Sequence, residues 1–127
     1  MRDATIVGAI LLAILFGTWY TQSLLQNQSD KILQTLSEIS IQLQQKENRN
    51  QVVEKANQLY QNWKKTSDMW SIVIDHQELD SIEKSILLVK TSVEIQDDTR
   101  CKEAINASSF LIGHIPDKEK LNWKNIF

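Results

Sequence analysis

The residues of this chain best suited to chemistry are its two histidines and a nearby run of carboxylates. Asp75, His76, Glu78, Asp80 and Glu83 lie close together, and His114 follows some 38 positions after His76. Imidazole and carboxylate groups are ligands that a divalent transition metal takes at about 2.0–2.2 Å. A metal centre here would be built from Asp75, His76, Asp80 and His114. His76 and Asp80, four apart, can share one helical face, but His114 has to arrive from elsewhere in the fold. The same residues also suit a structural purpose. Asp75 followed three positions later by Glu78, just ahead of an apolar-periodic run, is a capping-box variant in which Asp75 accepts from an early helical N–H and Glu78 reaches back. Asp80 then complements the helix dipole, and the histidines bond to neighbouring backbone. The structural purpose is the expected one. There is no phosphate-binding glycine loop, no HExxH, no nucleophile elbow and no Cys/His pair close in sequence, so no catalytic residue and no cofactor is assigned and the chain is expected not to be an enzyme.

The elements that must position these residues are helical. The chain has 127 residues with three Gly and one Pro. From Thr21 onward only Gly113 and Pro116 punctuate it, whereas a β-sandwich or barrel needs a turn signal every 8–12 residues or so. The charges are mixed and sum to −2, which excludes the clustered Lys/Arg that nucleic acid or an anionic lipid surface requires. A single cysteine, Cys101, permits no internal disulfide and suits a small buried position on a helix's apolar face.

Residues 4–20 carry no charge, and after Asp3 the next charged residue is Asp30. At about 1.5 Å per residue this run spans roughly 25 Å, with Thr21 and Gln22 extending it at the interface. A cleaved signal peptide is the competing reading, since Arg2 supplies a basic start and Thr21-Gln22-Ser23 a small-residue site. The length of the run, the interfacial placing of Trp19 and Tyr20, and the unbroken pattern beyond favour an uncleaved anchor over 1–22 held in the lipid bilayer through 4–20. Arg2 and the terminal amine outweigh Lys31, so the expected topology is a single-pass protein of the cell membrane with a cytoplasmic N-terminus and an extracytoplasmic remainder. Thr5, Ala9, Ala13 and Gly17 recur every fourth residue, a spacing that lets a second transmembrane backbone approach closely.

Beyond the anchor, Leu25, Ile32 and Ile39 fall seven apart with Ser29, Leu36 and Leu43 between them. This heptad stripe predicts a stalk over about 23–45, packed on later helices or zipped to a second copy. A second helix over about 51–74 presents Val52, Ala56, Leu59, Trp63 and Trp70, with the two tryptophans expected in the core. A third over about 76–96 presents Leu79, Ile82, Ile86, Val89 and Val93. A fourth over about 99–113 presents Cys101, Ala104, Ile105, Ser108, Leu111 and Ile112, stopping at Gly113 because Pro116 prevents continuation. The remainder, 114–127, is a tail whose Trp123, Ile126 and Phe127 either dock back or enter a partner. The expected fold is all-α: an N-terminal transmembrane helix continuing into a small antiparallel helical bundle that forms one domain over 23–127.

Leu59-Tyr60, Trp63, Trp70, the segment Ile74-Asp75-His76-x-Glu78-Leu79-Asp80, the segment His114-Ile115-Pro116-x-Lys118-Glu119-Lys120-Leu121 and the terminal Asn125-Ile126-Phe127 follow the N-terminal anchor in a recognisable layout. In this the chain resembles, over nearly its whole length, a family of small bacterial membrane proteins catalogued as a domain of unknown function in endospore-forming Gram-positive bacteria. Trp123-Lys124 departs from that family's pattern. The resemblance implies a single span, a helical domain and a neighbouring multi-span membrane protein linked with spore membranes, and it implies no reaction. The expected function is therefore a noncatalytic accessory or scaffold protein of the spore or cell envelope, bound to a multi-span membrane protein or to itself. Its partner-binding residues would be Thr5, Ala9, Ala13, Gly17, Trp123, Ile126 and Phe127. The alternative is an extracytoplasmic metal or ligand sensor using His76 and His114.

Overall fold

A computed structural model describes residues 1–46 and 48–126, with side chains described as far as Lys118. Its described residues form four helices and no strand: α1 (Arg2–Gln44), α2 (Arg49–Trp70), α3 (His76–Glu94) and α4 (Asp98–Ile126). Short connections force consecutive helices antiparallel, and each has identifiable local chemistry. Asn48 caps α2 by accepting from the Asn50 N–H at 2.9 Å. Asp75 caps α3, as expected, by accepting from the Gln77 N–H at 3.3 Å. The end of α3 is closed by two reverse bonds, Asp97 N–H to Ser92 carbonyl (3.0 Å) and Gln96 N–H to Val93 carbonyl (3.3 Å). That pairing is a Schellman turn, and it puts Gln96 at φ 64°. Lys46, at φ 53°, turns the chain after α1 in the same left-handed conformation.

Around the bundle each helix packs on its neighbours in sequence, and α4 closes the ring against α1. The side-chain bridges give the registers. Glu38 pairs with Lys55 at 2.6 Å between α1 and α2, and Lys64 pairs with Glu83 at 2.5 Å between α2 and α3. Ser29 bonds to Ile112 between α1 and α4. The apolar stripes anticipated on α2 and α3 are all buried, and so are Cys101, Ala104, Ile105, Ser108 and Ile112 on α4. On α1, Leu25, Ser29, Ile32, Leu36 and Ile39 face the same core, so this stripe is consumed by the chain's own helices. Trp63 and Trp70 meet edge-to-face with ring centroids 5.8 Å apart, a geometry that aligns the positive edge of one ring with the negative face of the other. Burying side chains of this kind contributes about 1.5–3 kcal/mol each.

Two boundaries differ from the sequence expectation. Helix α2 stops at Trp70 rather than near Ile74, and the chain turns through 71–75 with the Ile74 N–H returning to the Trp70 carbonyl at 2.8 Å. Helix α4 does not stop at Gly113: it runs through Pro116 to Ile126, so the expected tail is helical over 114–126. Proline has no N–H for the carbonyl four residues back. That carbonyl, of Ile112, accepts instead from the buried Ser29 hydroxyl at 3.2 Å. The carbonyl of Pro116 accepts from Gln22 Nε2 at 2.9 Å, and Ile115 and Pro116 are both buried. Packing against α1 thus carries the helix across its own breaker.

Helix α1 is continuous across the expected anchor boundary at 22. Along its first half, residues 4–17 are almost wholly exposed and none is buried.

Candidate functional site

Asp75 is the N-cap of α3, His76 opens that helix and Asp80 lies a turn further; all three are exposed. His114 lies on the antiparallel α4, where its imidazole stacks on the Phe110 ring at 5.9 Å with planes 6° apart. The two histidines do belong to the same end of the bundle, because Lys118, one turn beyond His114, forms an ion pair with Glu78. That pairing takes Glu78 away from the capping box, whose reciprocal half is therefore unmade. Among the described residues no group of three or more His, Cys, Asp or Glu is placed to hold a metal ion. Asp75, with one carboxylate oxygen bound to the backbone, and the stacked His114 are occupied structurally.

Cys101 is fully buried in the first turn of α4, its thiol 3.9 Å from the Val89 carbonyl. Burial, reinforced by the nearby charges of Asp98 and Asp97, pushes this thiol up to about 11, so it is protonated and unreactive at neutral pH. Lys64 is held above the usual ammonium value by its hydrogen bond to Glu83. A shallow groove of about 370 Å³ between α1 and α2 is lined by residues including Gln28, Lys31, Leu59, Lys65 and Met69. It carries no carboxylate or imidazole to serve as an acid or base.

The remaining sites anticipated on the sequence are surfaces. Thr5, Ala9, Ala13 and Gly17 are all exposed along one line of α1, and a Cβ built on Gly17 meets nothing within 4 Å. The two threonine hydroxyls of 4–20 are satisfied within the helix, Thr5 donating to the Met1 carbonyl at 3.1 Å and Thr18 to the Ile14 carbonyl at 2.8 Å. This segment thus offers hydrocarbon few unpaired polar groups, as a bilayer demands. Phe16 lies 6.1 Å from Trp19 and 6.5 Å from Tyr20 between ring centroids, forming an aromatic cluster at its end. Trp123 and Ile126 fall on the last turns of α4, but their side chains, and the whole of Phe127, lie outside the described residues.

Sequence reasoning passed over a second exposed apolar group. In the turn after α2, Ile72 is 86% exposed and Val73 38%, beside Met69 at 46%. Its signal was present as uncharged residues from Met69 to Ile74, which read as a continuation of the α2 stripe.

Among the described residues, four antiparallel helices in a closed ring, with the first prolonged as an exposed apolar rod, define the class: an up-and-down four-helix bundle with one helix long and apolar enough to cross a membrane. The chain belongs to the family described as a domain of unknown function, DUF4363, which it matches over residues 19–126. The match begins at Trp19 and takes in the whole bundle. No curated protein and no solved structure matches the chain.

Proposed function

We propose that the protein is a noncatalytic, membrane-anchored accessory or scaffold subunit of the cell or spore envelope that binds another membrane protein. One observation carries this reading: the exposed apolar segment 4–20 and the buried stripe Leu25 to Ile39 lie on a single unbroken helix. A rod of this kind couples whatever its first half binds in the bilayer rigidly to the bundle outside. The absence, among the described residues, of a metal-ready cluster favours binding over sensing through His76 and His114. In this reading the N-terminus is cytoplasmic, the bundle is extracytoplasmic, and Thr5, Ala9, Ala13 and Gly17 form the seam with a multi-span partner.

The test is purification of the full-length chain from its native membranes in mild detergent, with quantitative mass spectrometry of what accompanies it. A stoichiometric multi-span protein is the expected result, and recovery of the chain alone would overturn the accessory reading. Replacing Ala9, Ala13 and Gly17 with Leu should reduce that recovery while leaving the bundle folded. Undiminished recovery would remove the seam from the proposal.

A further inference from the structure

The exposed turn between α2 and α3 lies at the end of the bundle from which the apolar half of α1 emerges. Two contacts establish the level. The Trp70 indole N–H donates to Gln28 Oε1 at 2.6 Å, and Gln28 Nε2 lies 3.6 Å from the Met69 sulfur. Gln28 is eight residues beyond Tyr20 on a continuous helix, about 12 Å along its axis. Because α2 runs antiparallel to α1, the chain after Trp70 advances towards Tyr20, which brings Ile72 and Val73 to roughly 8–10 Å from the level of that ring.

We infer that Met69, Ile72 and Val73 form a second membrane contact, seated in the lipid headgroup layer beside the anchor; this rests on the anchor reading above. The headgroup region extends roughly 5–7 Å beyond the hydrocarbon on each side. A helix tilt near the usual ~20° towards the α2 side, acting on an α2 axis about 8–10 Å away, would lower the turn by about 3 Å more and bring it to that layer. The distances therefore match. The chemistry matches as well: the turn carries no charge from Met69 to Ile74, and Met69, Ile72 and Val73 are all exposed there. The flanking charges are acidic, Asp68 and Asp75, with Asp75 already engaged in capping α3. These acidic flanks favour a zwitterionic over an anionic lipid surface beside the turn, and Lys118 on α4, at the same end, is paired with Glu78. A two-point attachment fixes the rotation of the bundle about the anchor and so decides which of its outer faces a membrane partner meets.

The test uses the full chain in phosphatidylcholine nanodiscs, with an environment-sensitive fluorophore attached in turn to Leu12→Cys, Ile72→Cys and Ile95→Cys. Buried Cys101 remains unlabelled, which the unsubstituted chain checks. Ile95 is the control, being 63% exposed at the opposite end of the bundle. Phosphatidylcholine bearing a nitroxide near the headgroup is then titrated in for positions 72 and 95, and phosphatidylcholine bearing one deep in the acyl chain for position 12, which lies midway along 4–20 at the bilayer centre. The inference expects quenching at 12 and at 72, with the signal at 72 at least three-fold more quenched than at 95. Quenching at 12 with 72 no more affected than 95 would overturn the second contact while leaving the anchor standing, the pattern expected if a protein partner covers the turn. No quenching at 12 would overturn the anchor itself.

Discussion

The Ser29 hydroxyl on α1 donates to the Ile112 carbonyl on α4 at 3.2 Å, inside the core and 83 positions away in sequence. That carbonyl is the one Pro116 leaves without a helical N–H. A buried serine in an otherwise apolar stripe and a proline inside a helix, each unfavourable alone, thus satisfy one another.

Ser29→Ala should therefore destabilise the full chain by about 1–3 kcal/mol, the range for leaving a buried acceptor unpaired. In a Pro116→Ala background the residue at 116 regains its N–H and can serve Ile112, so the cost of Ser29→Ala should fall well below that value. Denaturant unfolding of the four-member cycle in detergent checks the coupling; additive losses would show that the two residues act independently. Ser108 supplies the contrast. Its buried hydroxyl finds no partner among the described residues, so Ser108→Ala should be neutral or stabilising by up to about 1 kcal/mol.

Trp70 and Trp63 should respond differently to loss of the indole. Trp70 donates to Gln28, whereas Trp63 Nε1 has no acceptor among the described residues. Both substitutions to Phe shrink the core, but only Trp70→Phe also strands an acceptor, adding about 1 kcal/mol or more. Equal losses in parallel unfolding curves would mean that the Gln28 bond contributes nothing.

Gln96 and Lys46 hold left-handed backbone at helix ends where glycine is the favoured residue. Gln96→Gly and Lys46→Gly should each stabilise by up to about 1 kcal/mol, read as a shift of the unfolding midpoint at constant slope. A lower midpoint would indicate that the side chains make contacts worth more than the relieved strain.

The buried thiol of Cys101 makes a pH prediction. Its value in the fold is about 11, above that of a free thiol near 8.5, so the folded state favours the protonated form. Below about pH 8.5 both states are protonated and this group has no pH effect; as pH rises from there towards 11 the unfolded chain ionises first and stability is lost. Cys101→Ala should remove that component, giving a shallower alkaline decline than the wild type. Identical declines would assign the loss to other groups. Alkylation of the folded protein at pH 8 should be correspondingly slow.

The apolar faces were legible because burial on a helix is a periodic, local demand. Val52, Ala56, Leu59 and Trp63, or Leu79, Ile82, Ile86, Val89 and Val93, announce a buried stripe whatever they pack against. Asp75 as a cap was legible for a like reason, since its acceptor serves an N–H two residues away. The four helical segments, their approximate breaks and the core positions of Trp63 and Trp70 follow from these short-range rules.

What tertiary structure alone decided are the polar choices with distant partners. Glu78 had a sound local role in a capping box and instead pairs with Lys118, 40 positions on. Pro116 had every local reason to end α4, but Ser29 and Gln22 on α1 answer the carbonyls around it. His76 and His114 reach the same end of the bundle, where His114 stacks on Phe110 and joins no ligand cluster among the described residues. Hydrophobic burial accepts any apolar neighbour and is written in the spacing of a single segment, whereas a hydrogen bond or ion pair needs one particular partner at one distance, and that partner is specified only when the helices have packed.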